Sequence, residues 1–201
     1  MTEALASVRP LPVQPTGRRS TGWYAMLLVL ATEGALFLYL LFSYFYLGSQ
    51  SQGAWPPGGP PAIAISALNT AILLASSVTA WWGQKGIEHG QSDRLLLGLW
   101  ASLLLGAIFV GIQGHEWASK SFKPSDHAYG SLYFTITGLH IAHVVVGLII
   151  LVCLILWTSG RRFTAARHDH VTIGVLYWHF VDAVWLAVFT TLFLTPRLGL
   201  S

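Results

Sequence analysis

The chain has 201 residues, 54% hydrophobic and only 9% charged, with a mean hydropathy of +0.59. That balance is too apolar for an ordinary soluble domain and reads as an integral membrane protein. The formal net charge of +3 comes from 11 basic and 8 acidic residues, and the basic ones are scattered over tails, short loops and span ends, which leaves no basic patch for nucleic acid.

Residues 1–21 contain Pro10, Pro12, Pro15 and the pair Arg18 and Arg19 but no apolar stretch of their own. They read as a disordered basic tail rather than a cleaved signal peptide. Residues 22–201 then form a single membrane domain. Five segments reach the ~20 apolar residues that a spanning helix needs, at about 23–47, 62–84, 94–116, 130–157 and 172–195. None shows the short alternation of a transmembrane barrel, so the fold class is an all-α five-helix bundle. The loop from Gly48 to Pro61 holds four prolines and four glycines and is expected to continue neither flanking helix. Trp55 within it suits the membrane interface, and Trp81, Trp82, Trp100, Trp157 and Trp178 read mostly as belt or packing residues. Gln113, Glu116 and Trp117 fall near the end of the third segment and read as interfacial anchors or loop ties. Cys153, the only cysteine, lies in an apolar run and forms no intramolecular disulfide.

Eight of the basic residues, Arg9, Arg18, Arg19, Lys85, Arg94, Arg161, Arg162 and Arg167, fall on one side of the predicted spans. Lys120, Lys123 and Arg197 fall on the other. The positive-inside rule then places the N terminus in the cytoplasm and the C terminus outside.

Five polar groups sit deep in the spans: Glu33 in the first, His140 and His143 in the fourth, His179 and Asp182 in the fifth. At ~1.5 Å per residue all lie within about 10 Å of the bilayer midplane, deep enough to pair. His140 and His143 are about 60° apart around their helix with Gly147 between them, so that face looks into protein and allows close helix approach. The stretch from Tyr177 to Trp185, with His179 and Asp182, is expected to meet it. Glu33 has no other charge within ten residues, so it is protonated or satisfied from another helix, with a histidine as the natural partner. Each group suits an interhelical hydrogen bond. No nucleophile and base pair, phosphate loop, metal cysteine pair or dinucleotide fingerprint accompanies them, so catalytic residues of the chain's own are not expected.

In order along the chain, these residues resemble subunit III of the haem-copper terminal oxidases in its short five-helix bacterial form. The resemblance is carried by Thr32, Glu33 and Gly34; by Trp55, Pro56 and Pro57; and by Leu68, Asn69 and Thr70. It continues through Gln113 and Glu116, Ser125, Asp126, Tyr129, Gly130 and Ser131, then Gly138, His140 and His143, and ends with Tyr177 to Phe180, Asp182 and Trp185. The resemblance implies a non-catalytic subunit of an oxidoreductase complex in the bacterial plasma membrane, packed beside the catalytic subunit I. That partner holds the haem and copper, reduces oxygen and pumps protons. This chain would bind no cofactor, would hold structural phospholipid, and would support stability and proton uptake. Glu33 matches the family glutamate that reacts with hydrophobic carbodiimide. His140, His143, His179 and Asp182 match the family's intramembrane polar set, and Gln113, Glu116, Trp55 and Asn69 its interfacial or structural set. Two additional N-terminal helices of longer family members have no counterpart here. The WPP and LNT residues resemble the cytochrome c oxidase branch more than the quinol oxidase branch. Alternative readings are an autonomous membrane cytochrome, with His140 or His143 and His179 on haem, and an accessory subunit of a quinol oxidase or nitric oxide reductase.

Overall fold

A computed structural model describes residues 20–51 and 53–199. The predicted tail thus lies outside the described residues, except for its last two positions. Five long apolar helices account for most of the described residues: α1 (Thr21–Gln50), α2 (Ala64–Glu88), α3 (Ser92–Ala118), α4 (Ala128–Ser159) and α5 (Asp169–Phe189). Five such helices, with no strand among the described residues, make an all-α bundle able to cross a membrane five times.

The ends differ from the sequence expectation by a few residues, each for a local reason. α1 continues through Gly48, against the expectation of a break there, because the Trp55 ring lies on that glycine: a Cβ at residue 48 would come within 3.1 Å of it. The helix stops at Gln50. α2 runs on to Glu88, whose carboxylate meets Lys85 Nζ at 2.8 Å, and ends ahead of Gly90 at φ +76°. α4 starts at Ala128, capped by His127, whose Nδ1 accepts from the Gly130 amide at 2.8 Å. Beyond Phe189 the last helix widens into a π-helical turn, Thr190–Leu194, and then a 3₁₀ turn, Thr195–Leu198. Pro196 enforces this change, since it has no amide hydrogen and its ring opposes a regular α-helical turn.

Small residues bring the helices together. α2 and α3 form the tightest pair, with a Cβ at Gly98 falling 2.7 Å from the Thr79 carbonyl and 2.8 Å from Gly83 Cα. Hydroxyls bridge the same seam: Thr79 Oγ1 and Ser102 Oγ are 2.7 Å apart, and Ser102 Oγ donates to the Ser76 carbonyl at 2.9 Å. In hydrocarbon, where lipid tails are as apolar as leucine, such close backbone packing and hydrogen bonding is what holds helices together.

Trp178 of α5 plugs the centre. Fully buried, it lies against Gly106 of α3 and Gly147 of α4 and donates from Nε1 to Ser76 Oγ of α2 at 3.1 Å. Of the two roles expected for it, belt or packing, it takes packing. Trp81, Trp82, Trp100 and Trp157 are exposed, at the end of the bundle where α1 begins. There the Arg94 guanidinium stacks 4.6 Å above the Trp82 ring. α1 is the most peripheral helix, touching α4 and α5 and burying only Phe37, Tyr44 and Gly48.

Candidate intramembrane polar sites

Three separate polar sites emerge from the bundle, rather than one shared cluster. The first joins α1 to α4, where Glu33 Oε2 lies 3.0 Å from His143 Nε2. His143 Nδ1 is 2.7 Å from the carbonyl of Leu139, one turn back on its own helix. A carbonyl only accepts, so Nδ1 carries hydrogen, and one further proton is shared between Nε2 and the glutamate. The pair is therefore an imidazole beside a carboxylic acid, or an imidazolium beside a carboxylate. Tyr177 Oη donates to the His143 carbonyl at 3.3 Å and holds α5 against the site. Glu33 is not sealed in. Its side chain is 33% exposed and opens into a groove of about 270 Å³ lined by Val29, Ala142, Val146 and Tyr177.

His140, one turn before His143, belongs elsewhere. Fully buried, it packs among rings, with centroids 4.9 Å from Trp185, 5.9 Å from Phe109 and 6.4 Å from Phe37. Neither of its ring nitrogens has a hydrogen-bond partner among the described residues. Trp185 in turn donates from Nε1 to Thr70 Oγ1 at 2.9 Å. The two histidine stretches do meet, through Trp178 on Gly147 and Trp185 on His140. Apart from the Tyr177 hydroxyl on the His143 carbonyl, their polar side chains do not: His179 and Asp182 lie away from both histidines.

His179 and Asp182 turn instead toward α2, forming the second site. His179 Nδ1 is 2.5 Å from Ser77 Oγ and 4.0 Å from Asp182 Oδ2. Position 179 is about 200° around the helix from Tyr177, which faces α4, and that rotation separates it from His143.

The third site lies at the opposite end of the bundle from the tryptophan belt. Glu116 of α3 accepts from Ser66 Oγ of α2 at 3.1 Å, from Tyr133 Oη of α4 at 3.1 Å and from Lys120 Nζ at 2.9 Å. Gln113 and Asn69 are also fully buried, and Asn69 Nδ2 donates to the Phe109 carbonyl at 3.2 Å. Glu116 and Asn69 are thus internal ties between helices, whereas Gln113 is buried with no hydrogen-bond partner for its side chain among the described residues. Trp55 sits over the same end, packed on Gly48 and edge-on to Tyr129 at 5.5 Å. Sequence reasoning missed Ser66, Ser77, Lys120 and Tyr133. The recurrence of Ser66, Asn69 or Thr70, Leu73, Ser76, Ala80 and Gly83 at three- and four-residue intervals was the available signal for the inward face of α2.

Among the described residues no group of three or more histidine, cysteine or acidic side chains converges to hold a metal. The arrangement can tie helices together and hold a proton between Glu33 and His143. Comparison with known proteins agrees in order and extent. Residues 18–196 match the family model for cytochrome c oxidase subunit III. Cytochrome c oxidase subunit 3 of Latimeria chalumnae is 34% identical over 190 residues, covering 91% of this chain and 71% of the relative. The same subunit of Oncorhynchus mykiss and that of Gallus gallus are each 33% identical over 177 residues, covering 85% of this chain and 68% of the relative. This multi-pass membrane chain belongs to the cytochrome c oxidase subunit III family, the non-catalytic third subunit of the haem-copper oxidases.

Proposed function

We propose that this chain stabilises the catalytic haem-copper subunit, subunit I, and keeps proton uptake into it fast, with cytochrome c as the electron donor of the complex. The observation that carries the reading is the Glu33 and His143 pair, a carboxyl and an imidazole within hydrogen-bonding distance at a partly open groove. The chain itself carries no haem or copper, and structural phospholipid lines its surface as a partner. It forms one membrane domain in a bacterial plasma membrane. The excess of basic residues at the end where α1 begins supports a cytoplasmic N terminus. The resemblance of the WPP and LNT residues to the cytochrome c branch supports that donor.

Removing this chain from the purified oxidase tests the reading. Oxygen reduction by the remaining complex is expected to start at a comparable rate and to decay sooner during turnover, and adding the chain back restores its lifetime. Loss of all oxygen reduction with the first turnover would show instead that the chain contributes catalytic groups.

A further inference from the structure

We propose that the core of the bundle encloses bound water among Asn69 of α2, Gln113 of α3 and His140 of α4, and that this water completes polar groups the helices leave unpaired there. The inference stands apart from the supporting role and concerns the interior of the chain alone.

All three side chains are fully buried, and five of their polar atoms have no hydrogen-bond partner among the described residues. These are Asn69 Oδ1, Gln113 Oε1 and Nε2, and both ring nitrogens of His140. Each such atom in an apolar interior costs about as much as a lost hydrogen bond. Reversing the amides brings no relief. A turned Asn69 would set its oxygen against the Phe109 carbonyl, which its Nδ2 now meets at 3.2 Å, and a turned Gln113 keeps both atoms unpaired.

The three groups share one region of the core. The antiparallel helices α3 and α4 are pinned at two levels, by Tyr133 Oη on Glu116 at 3.1 Å and by the His140 ring 5.9 Å from that of Phe109. Gln113 falls between Phe109 and Glu116 on the same inward face of α3, and Asn69 reaches this level from α2 through its bond to the Phe109 carbonyl. Tyr133 and His140 stand about 10 Å apart along α4, more than one direct hydrogen bond spans.

Enclosure decides the occupant. Neither a lipid nor a side chain of a partner subunit reaches residues with no exposed surface. A hard cation would find only the two amide oxygens among these atoms, fewer than the six or so that such ions take. Water is small enough to be enclosed, takes about three partners, and both donates and accepts. It therefore serves an amide nitrogen, an amide oxygen and either tautomer of the imidazole.

An electron cryomicroscopy map of the intact oxidase, at a resolution that shows ordered water, tests the site. Density is expected between the Gln113 and Asn69 amides and the His140 ring. Amides and imidazole that bond directly to one another, with no density between them, overturn the proposal. X-ray radiolysis of the same complex gives a second readout, since hydroxyl radicals form where water is bound and hydroxylate the nearest ring. Phe109 is expected to be labelled several-fold more than Trp178, which is equally buried but has its Nε1 satisfied by Ser76, about 10 Å further along α2. Gln113→Leu should lower the labelling of Phe109 to the level of Trp178. Equal labelling of the two rings in the wild type overturns the proposal, as does labelling of Phe109 that Gln113→Leu leaves unchanged. The wild-type comparison decides even where the variant fails to assemble.

Discussion

Replacing Glu116 by alanine is expected to destabilise the bundle by about 3–5 kcal/mol, because the change strands a buried lysine. The carboxylate receives three donors, Ser66, Tyr133 and Lys120, and the Lys120 side chain is only 15% exposed. Without Glu116 the ammonium keeps only the faces of Tyr133 and Phe193, at 4.9 and 6.0 Å. Lys120→Met should cost less, since the carboxylate would retain two hydroxyl donors. The double variant Glu116→Leu with Lys120→Met should lie nearer the wild type than Glu116→Leu alone, as replacing a whole buried pair is cheaper than breaking it. Thermal unfolding in detergent measures all four. Equal melting of wild type and Glu116→Ala would mean that the three contacts contribute nothing to the fold.

Trp178→Ala is expected to be as damaging, at about 3–5 kcal/mol, because it empties the centre where α2, α3, α4 and α5 meet. The ring occupies space left by two glycines, and a Cβ at either Gly106 or Gly147 would fall 2.7 Å from it. Gly147→Val should therefore cost about 1–3 kcal/mol through overpacking in the wild type. In the Trp178→Ala background that cost should vanish or reverse, since the clashing ring is gone, giving a coupling energy in a double-mutant cycle. Additive effects of the two changes would contradict the keystone role of the tryptophan.

Helix number was legible in the sequence because hydrocarbon obliges each spanning segment to satisfy its own backbone, and long apolar runs leave no other solution. Helix ends were less so. Gly48 breaks a helix on propensity, yet here the Trp55 ring lies where a side chain would have stood. Depth along each helix could also be read, which brought Glu33 and the histidines to one level. Direction around the helix could not, because it depends on which neighbour each face meets. His140 and His143 share a face in sequence, but one packs into an aromatic cage while the other reaches Glu33. His179 was expected near them and bonds to Ser77 instead, a residue whose hydroxyl is silent in any hydropathy pattern. Trp178 could be read from the sequence as belt or packing alike, and the pocket formed by Gly106, Gly147 and Ser76 decides for packing.

The most direct test of the supporting-subunit account is a reduced-minus-oxidised spectrum of the complex isolated through a tag on this chain, recorded before and after the chain is stripped away. The account predicts haem absorption and oxygen consumption that remain with a larger partner, while the released chain is colourless. A haem spectrum that travels with the released chain alone would contradict it and make His140, His143 or His179 a ligand.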